Sequence, residues 1–142
     1  MKRARIEHRF VDAIPARLEE GVVYVSIGFA TVVHKCLCGC GQEVVTPLSP
    51  TDWRLTFDGA SISLDPSVGN WSFDCQSHYW ITRNRVRWAG KMSREQIAAV
   101  REQDVLAKAA YGQRNGHASR DREGPEQRGI VRRILRFIGL GR

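Results

Sequence analysis

Three cysteines fall within five residues, Cys36-Leu37-Cys38-Gly39-Cys40, and a fourth stands alone at Cys75. Sulfur ligands crowded this closely suit a metal ion such as zinc better than disulfide pairing. Extended residues two apart are separated by roughly 6.6 Å, whereas two sulfurs on one tetrahedral zinc lie only about 3.8 Å apart. The segment must therefore curl around the ion. Gly39 and Gly41 permit that, because glycine takes a positive φ without a Cβ clash. Cys75 arrives from a distant stretch and closes the coordination sphere.

The simplest ligand set is Cys36, Cys38, Cys40 and Cys75, a saturated and therefore structural zinc site. His78 follows Cys75 at C-x-x-H spacing and is an alternative ligand; His34 is a third option. The choice decides whether His78 is free as a base. Against all of these stands a set of reduced, metal-free thiols or a disulfide pair. The opening Met1-Lys-Arg-Ala-Arg-Ile-Glu-His8 has no apolar stretch behind its charges, so no secretory signal is read there. A reducing cytoplasm is the expected compartment, and cysteine clusters there are metal or redox centres. A C-x-x-C redox motif is absent.

The elements that must position these groups are mostly β. Val22-Val-Tyr-Val-Ser-Ile27, Ala30-Thr-Val-Val-His34 and Val44-Val-Thr46 are rich in β-branched residues and flank the cysteine segment. Trp53-Arg-Leu-Thr-Phe57 and Ser61-Ile-Ser-Leu64 alternate apolar and polar around the Asp58-Gly59 turn. Asp65-Pro-Ser-Val-Gly-Asn70 reads as a polar loop. His78–Thr82 and Val86–Trp88 form a last hairpin. The fold class expected is a small, mostly antiparallel, zinc-stabilised β domain with one C-terminal helix and a basic amphipathic tail. Ser93-Arg-Glu-Gln96 is a capping box, and it opens a helix over 93–111 that packs on the β body, so that 1–111 is one domain. Residues 112–128 lack apolar periodicity and read as a disordered linker. Residues 129–142 read as a helix with Ile130, Val131, Ile134, Leu135, Phe137 and Ile138 on one side and Arg132, Arg133 and Arg136 on the other.

Charge is unevenly placed. The formal net charge is +7, and residues 112–142, with eight Arg and three acids, carry +5 of it. The remaining +2 excludes a strongly basic nucleic-acid-binding body. Any attraction to nucleic acid or an anionic membrane surface belongs to the tail, whose other readings are a helix docked on its own domain or one for a partner's groove. No apolar run approaches the roughly 20 residues that span a bilayer.

The pattern His34-x-Cys-x-Cys-Gly-Cys-Gly41, Val45-Thr-Pro-Leu48, Trp53, Pro66-Ser-Val-Gly-Asn-Trp71 and Cys75-x-Ser-His-Tyr-Trp-Ile81 resembles a bacterial family once known only as a domain of unknown function. Its members sit in bacterial ubiquitination-like, or Bub, operons beside ubiquitin-like proteins and proteins similar to ubiquitin-activating and conjugating enzymes. The resemblance covers about residues 18–90. Leu37 stands where a proline or small residue is expected. The resemblance implies a serine-type peptidase that processes a ubiquitin-like protein or removes it from conjugates, with a role in phage defence. The implied partners are that protein, its conjugates and the activating- or conjugating-enzyme-like proteins.

A serine nucleophile needs a base within hydrogen-bond reach and a group that orients the base. His34 and His78 are the candidate bases; Ser67, Ser72 and Ser77 are the candidate nucleophiles. Neighbours in a strand face opposite ways, so Ser77 is a poor partner for His78. Ser67 leaves the Ile62–Leu64 strand in a loop that returns at His78 and is the better one. The Asn70 amide, or the backbone N–H groups of Val68, Gly69 and Asn70, would serve a developing oxyanion. Asp65 and Asp74 are candidate orienting acids, and each is equally a turn residue. Trp71 and Trp80 are candidate groove walls. Competing readings are a non-catalytic zinc module of the same pathway and a nucleic-acid-binding accessory protein.

Overall fold

The computed structural model describes residues 1–121, with side chains as far as residue 116. Eight strands precede one helix among the described residues: β1 (Glu7–Phe10), β2 (Val22–Ser26), β3 (Thr31–Lys35), β4 (Glu43–Pro47), β5 (Arg54–Phe57), β6 (Ile62–Gly69), β7 (His78–Thr82), β8 (Arg85–Trp88) and α1 (Arg94–Asp121). The strands form two four-stranded sheets in the orders β1-β2-β3-β4 and β5-β6-β7-β8. All pairings are antiparallel except β1 with β2, which is parallel.

Alternation along each strand explains how the sheets meet. Val23, Val25 and Val32 of the first sheet join Ile62, Leu64, Val68, Tyr79 and Ile81 of the second in one buried cluster, together with Cys36 and Leu37. Each fully buried aliphatic side chain contributes about 1.5–3 kcal/mol. Strand β2 is buried on both faces, because Leu18 and Ile14 of the preceding segment cover Val22, Tyr24 and Val33 on the far side. Turns follow their chemistry. Arg83 and Asn84 both take positive φ between β7 and β8, the backbone of a two-residue hairpin whose twist matches its strands. The Asp58 carboxylate accepts from the N–H groups of Ala60 and Ser61 between β5 and β6, and these bonds with the Ser61 hydroxyl hold its pKa down at about 2.

Strand β6 corrects the reading of Asp65–Asn70 as a loop. The strand runs through it to Gly69, with a bulge. Leu64 pairs with Ile81 and Val68 with Tyr79, so the three residues 65–67 stand opposite Trp80 alone. Pro66, which cannot donate to a ladder, sits in this bulge, as strand prolines do.

Residues 1–98 form one compact unit, and a second begins at Ala99. The capping box forms as read: Ser93 Oγ accepts from Gln96 N–H at 3.2 Å, and Gln96 Oε1 accepts from Ser93 N–H at 2.8 Å. Two features of α1 differ from expectation. Only Ile97 is buried among the described side chains of the helix, and Val100, Val105 and Leu106 are exposed. The helix also continues to Asp121, through ten residues read as linker. Ala, Gln and Arg sustain helix on intrinsic propensity without an apolar stripe. The rest of the linker and the amphipathic segment 129–142 lie outside the described residues.

Candidate active site and metal centre

The four cysteine sulfurs lie within 4.8 Å of one another. Cys36 Sγ is 3.4 Å from Cys38 Sγ and 3.9 Å from Cys75 Sγ, and Cys40 Sγ is 3.8 Å from Cys75 Sγ. These spacings match the edge of a tetrahedron with metal–sulfur bonds of about 2.3 Å. Gly39 and Gly41 take φ of 88° and 82°, and Gly39 N–H donates to Cys36 O, so the curl is built where the glycines allow it. No disulfide joins the four. Burial and the neighbouring Cys36 thiol push Cys38 up to about 12. Burial opposes ionisation of Cys75 too, but the Ser77 hydroxyl and N–H and the adjacent thiols bring it down to about 7. Four thiols this close ionise together only around a cation, so the donor set fits a metal ion.

A buried polar chain supports the cluster. Cys36 Sγ lies 3.0 Å from Ser77 Oγ, which accepts from Asn70 Nδ2 at 2.9 Å. Asn70 Nδ2 also reaches Tyr79 Oη at 3.5 Å, and Tyr79 Oη meets His34 Nε2 at 2.8 Å. His34 is fully buried, and burial lowers its pKa to about 4, so it is a neutral core histidine and no member of the cysteine cluster.

The opposite face of the second sheet carries different chemistry. His78 pairs with Gly69 across β6 and β7, and Ser67 lies diagonal to it on the same face. His78 Nε2 is 2.9 Å from Ser67 Oγ. The imidazole is flanked by Trp71, at 4.8 Å between ring centroids, and Trp80, at 5.0 Å. Burial lowers the His78 pKa, which keeps the ring neutral and able to accept a proton near neutral pH. Its Nδ1 is buried and has no hydrogen-bond partner among the described residues. Trp53 Nε1 donates to the Ser67 carbonyl at 3.3 Å and steadies the bulge.

The sheet thus divides the sequence candidates. Ser67 and His78 come together. Ser77 and Asn70 lie on the inner side with the cysteines, and the backbone N–H of Asn70 donates to Ser77 O at 2.9 Å. Neither the side chain nor the N–H of Asn70 is therefore directed at Ser67, contrary to its reading as an oxyanion donor. His78 as a metal ligand is corrected likewise: its Nε2 is engaged by Ser67, and the cluster is complete without it. His34, the secondary base, is engaged by Tyr79 in the core. Ser72 and Asp74 are exposed, and Asp65 pairs with Arg54 at 3.3 Å. Sequence reasoning missed the flanking of His78 by two indoles; the signal was Trp80 two residues after His78, hence on the same face of one strand.

A two-sheet β protein with a Ser–His pair on one face of a sheet and a four-cysteine cluster on the other is the class these features define. The family model of the bacterial ubiquitination-like system serine protease (BubE) matches residues 10–89, and the chain belongs to that family. No curated protein and no solved structure matches it.

Proposed function

We propose that this protein is a serine-type peptidase of a Bub pathway that cleaves a bacterial ubiquitin-like protein, maturing it or releasing it from conjugates, in the cytoplasm. The observation that carries the reading is the 2.9 Å contact between His78 Nε2 and Ser67 Oγ on the outer face of the second sheet. In the reaction, Ser67 Oγ attacks the scissile carbonyl while His78 Nε2 takes the hydroxyl proton. The imidazolium returns that proton to the leaving group as the bond breaks. Water, deprotonated by the same nitrogen, then attacks the acyl-enzyme carbonyl, and the imidazolium returns that proton to Ser67 Oγ as the ester bond breaks and the acid product leaves.

A cavity of about 670 Å³ adjoins the bulge and is lined by Ile27, Leu48, Trp53, Leu55 and Pro66 among others. Neither Ser67 nor His78 lines it, and Asp52, Arg54 and Asp65 share its walls, so it would take a part of the substrate tail away from the scissile bond. The cluster of Cys36, Cys38, Cys40 and Cys75 would hold a structural zinc, since four thiolates leave no open position for substrate. Its work is to fix the ends of β6 and β7.

The test is cleavage of the cognate ubiquitin-like precursor. Ser67→Ala and His78→Ala abolish turnover while keeping metal content and melting temperature. Normal cleavage by both variants refutes the assignment. Loss of activity on mild chelation of a still-folded protein would instead indicate a metal hydrolase.

A further inference from the structure

Among the described residues, no acid holds the imidazole of the Ser67–His78 pair as one does in a Ser–His–Asp triad. His78 Nδ1 meets no protein group among the described residues, and Asp65 is turned to Arg54. Two indoles occupy the flanks of the ring instead. Trp71 stands at 4.8 Å with its plane inclined by 66°, and Trp80 at 5.0 Å inclined by 36°. Each indole is itself held. Arg87, the cross-strand neighbour of Trp80, lays its guanidinium 4.0 Å from the centre of the Trp80 ring. Trp71 lies directly over Gly69, the cross-strand partner of His78; a Cβ at residue 69 would come within 2.5 Å of Trp71 Cε2 and Cζ2. The glycine creates the seat that brings the indole against the imidazole.

We propose that Trp71 and Trp80 are positioning residues that replace the orienting acid: they clamp the plane of His78 with Nε2 on Ser67 Oγ. An orienting carboxylate does two things, fixing the ring and stabilising the imidazolium formed during the reaction. Indoles are suited to both. Packing from two sides restricts rotation of the imidazole, and an aromatic face within about 6 Å of a cation attracts it. Arg87 is the positive group packed on this assembly. It anchors Trp80, so the indole packed on His78 is itself held in place.

This inference rests on the peptidase reading, and the experiment separates the two. Trp71→Leu and Trp80→Leu are compared with Trp71→Phe and Trp80→Phe. The readouts are kcat and KM for precursor cleavage, the rate of Ser67 modification by a fluorophosphonate probe, and nitrogen-15 resonances of the His78 ring. The Leu variants should keep their metal and lose on the order of 10²-fold in kcat and labelling rate, as expected when a base is misplaced, with KM little changed. The Phe variants should recover most of the loss. The His78 ring should be mobile in the Leu variants and fixed in the wild type. Wild-type labelling and kcat in the Leu variants overturn the clamp, as does equal loss in Leu and Phe variants. A wild-type chain inert to substrate and probe overturns the peptidase reading; the ring resonances then still decide the clamp, which fails if the Leu substitutions leave them unchanged. If a Leu variant does not fold, Gly69→Ala tests the same seat.

Discussion

Gly69→Ala separates stability from activity with a single methyl group. Gly69 does not take a positive φ, so the substitution carries a steric cost and no torsional one. The added Cβ would stand 2.5 Å from two carbons of the Trp71 ring. Carbon contacts settle at about 3.5–4.0 Å, so the indole must retreat by about 1 Å or more. The partly exposed Trp71 can do so by swinging toward solvent. Alanine in place of a strand glycine returns roughly 0.5–1 kcal/mol, which offsets the lost indole contacts. The melting temperature should therefore change little. His78 loses one side of its clamp, and a displacement of about 1 Å in a catalytic constellation costs on the order of 10²-fold in rate. That corresponds to about 2.7 kcal/mol in the barrier. The assay is kcat/KM on a ubiquitin-like precursor, with the indole N–H resonance of Trp71 as proof that the ring has moved. A displaced ring with undiminished kcat/KM would refute the reasoning.

Three further outcomes follow from the geometry. Tyr79→Phe keeps the ring but strips His34 Nε2 of its partner; leaving one more buried polar atom unpaired should cost about 1–3 kcal/mol in urea unfolding, with the m-value unchanged. Elemental analysis should find one metal ion per chain, and stripping it should lower the melting temperature, with cleavage lost only where the stripped chain unfolds, because the cysteines brace the strand ends that carry the Ser–His pair. The pH profile of the wild type has a fixed sign: His78 works neutral, and burial holds its pKa below the ordinary 6.5, so the acid limb of kcat/KM should have its midpoint below pH 6.5.

The cysteine cluster was legible because metal chemistry depends on residue type and close spacing, and both are local. The meeting of Ser67 with His78 was legible because one short excursion joined two strands that had to pair. Other features depended on register. Pro66, Gly69 and Asn70 have turn composition, and nothing local says that the strand resumes beyond a bulge at residues 65–67. Without that register the face of Asn70 is undetermined, which is why its amide was aimed at an oxyanion and is found beside Ser77. Strand β1, Glu-His-Arg-Phe, has no alternation to betray it and is ordered by parallel pairing to the buried β2. The helix outran its apolar pattern because propensity carried it past the last residue of that pattern.

The bulge in β6 adds two residues relative to β7, and that even number has a consequence for how this chain can vary. Two steps along a pleat restore phase, so Leu64 before the insertion and Val68 after it both point inward. Losing or gaining one residue there would exchange inside for outside across the remainder of the strand. Val68 would be thrown into solvent and Ser67 into the oily interior. Length changes at this spot should therefore survive only in pairs.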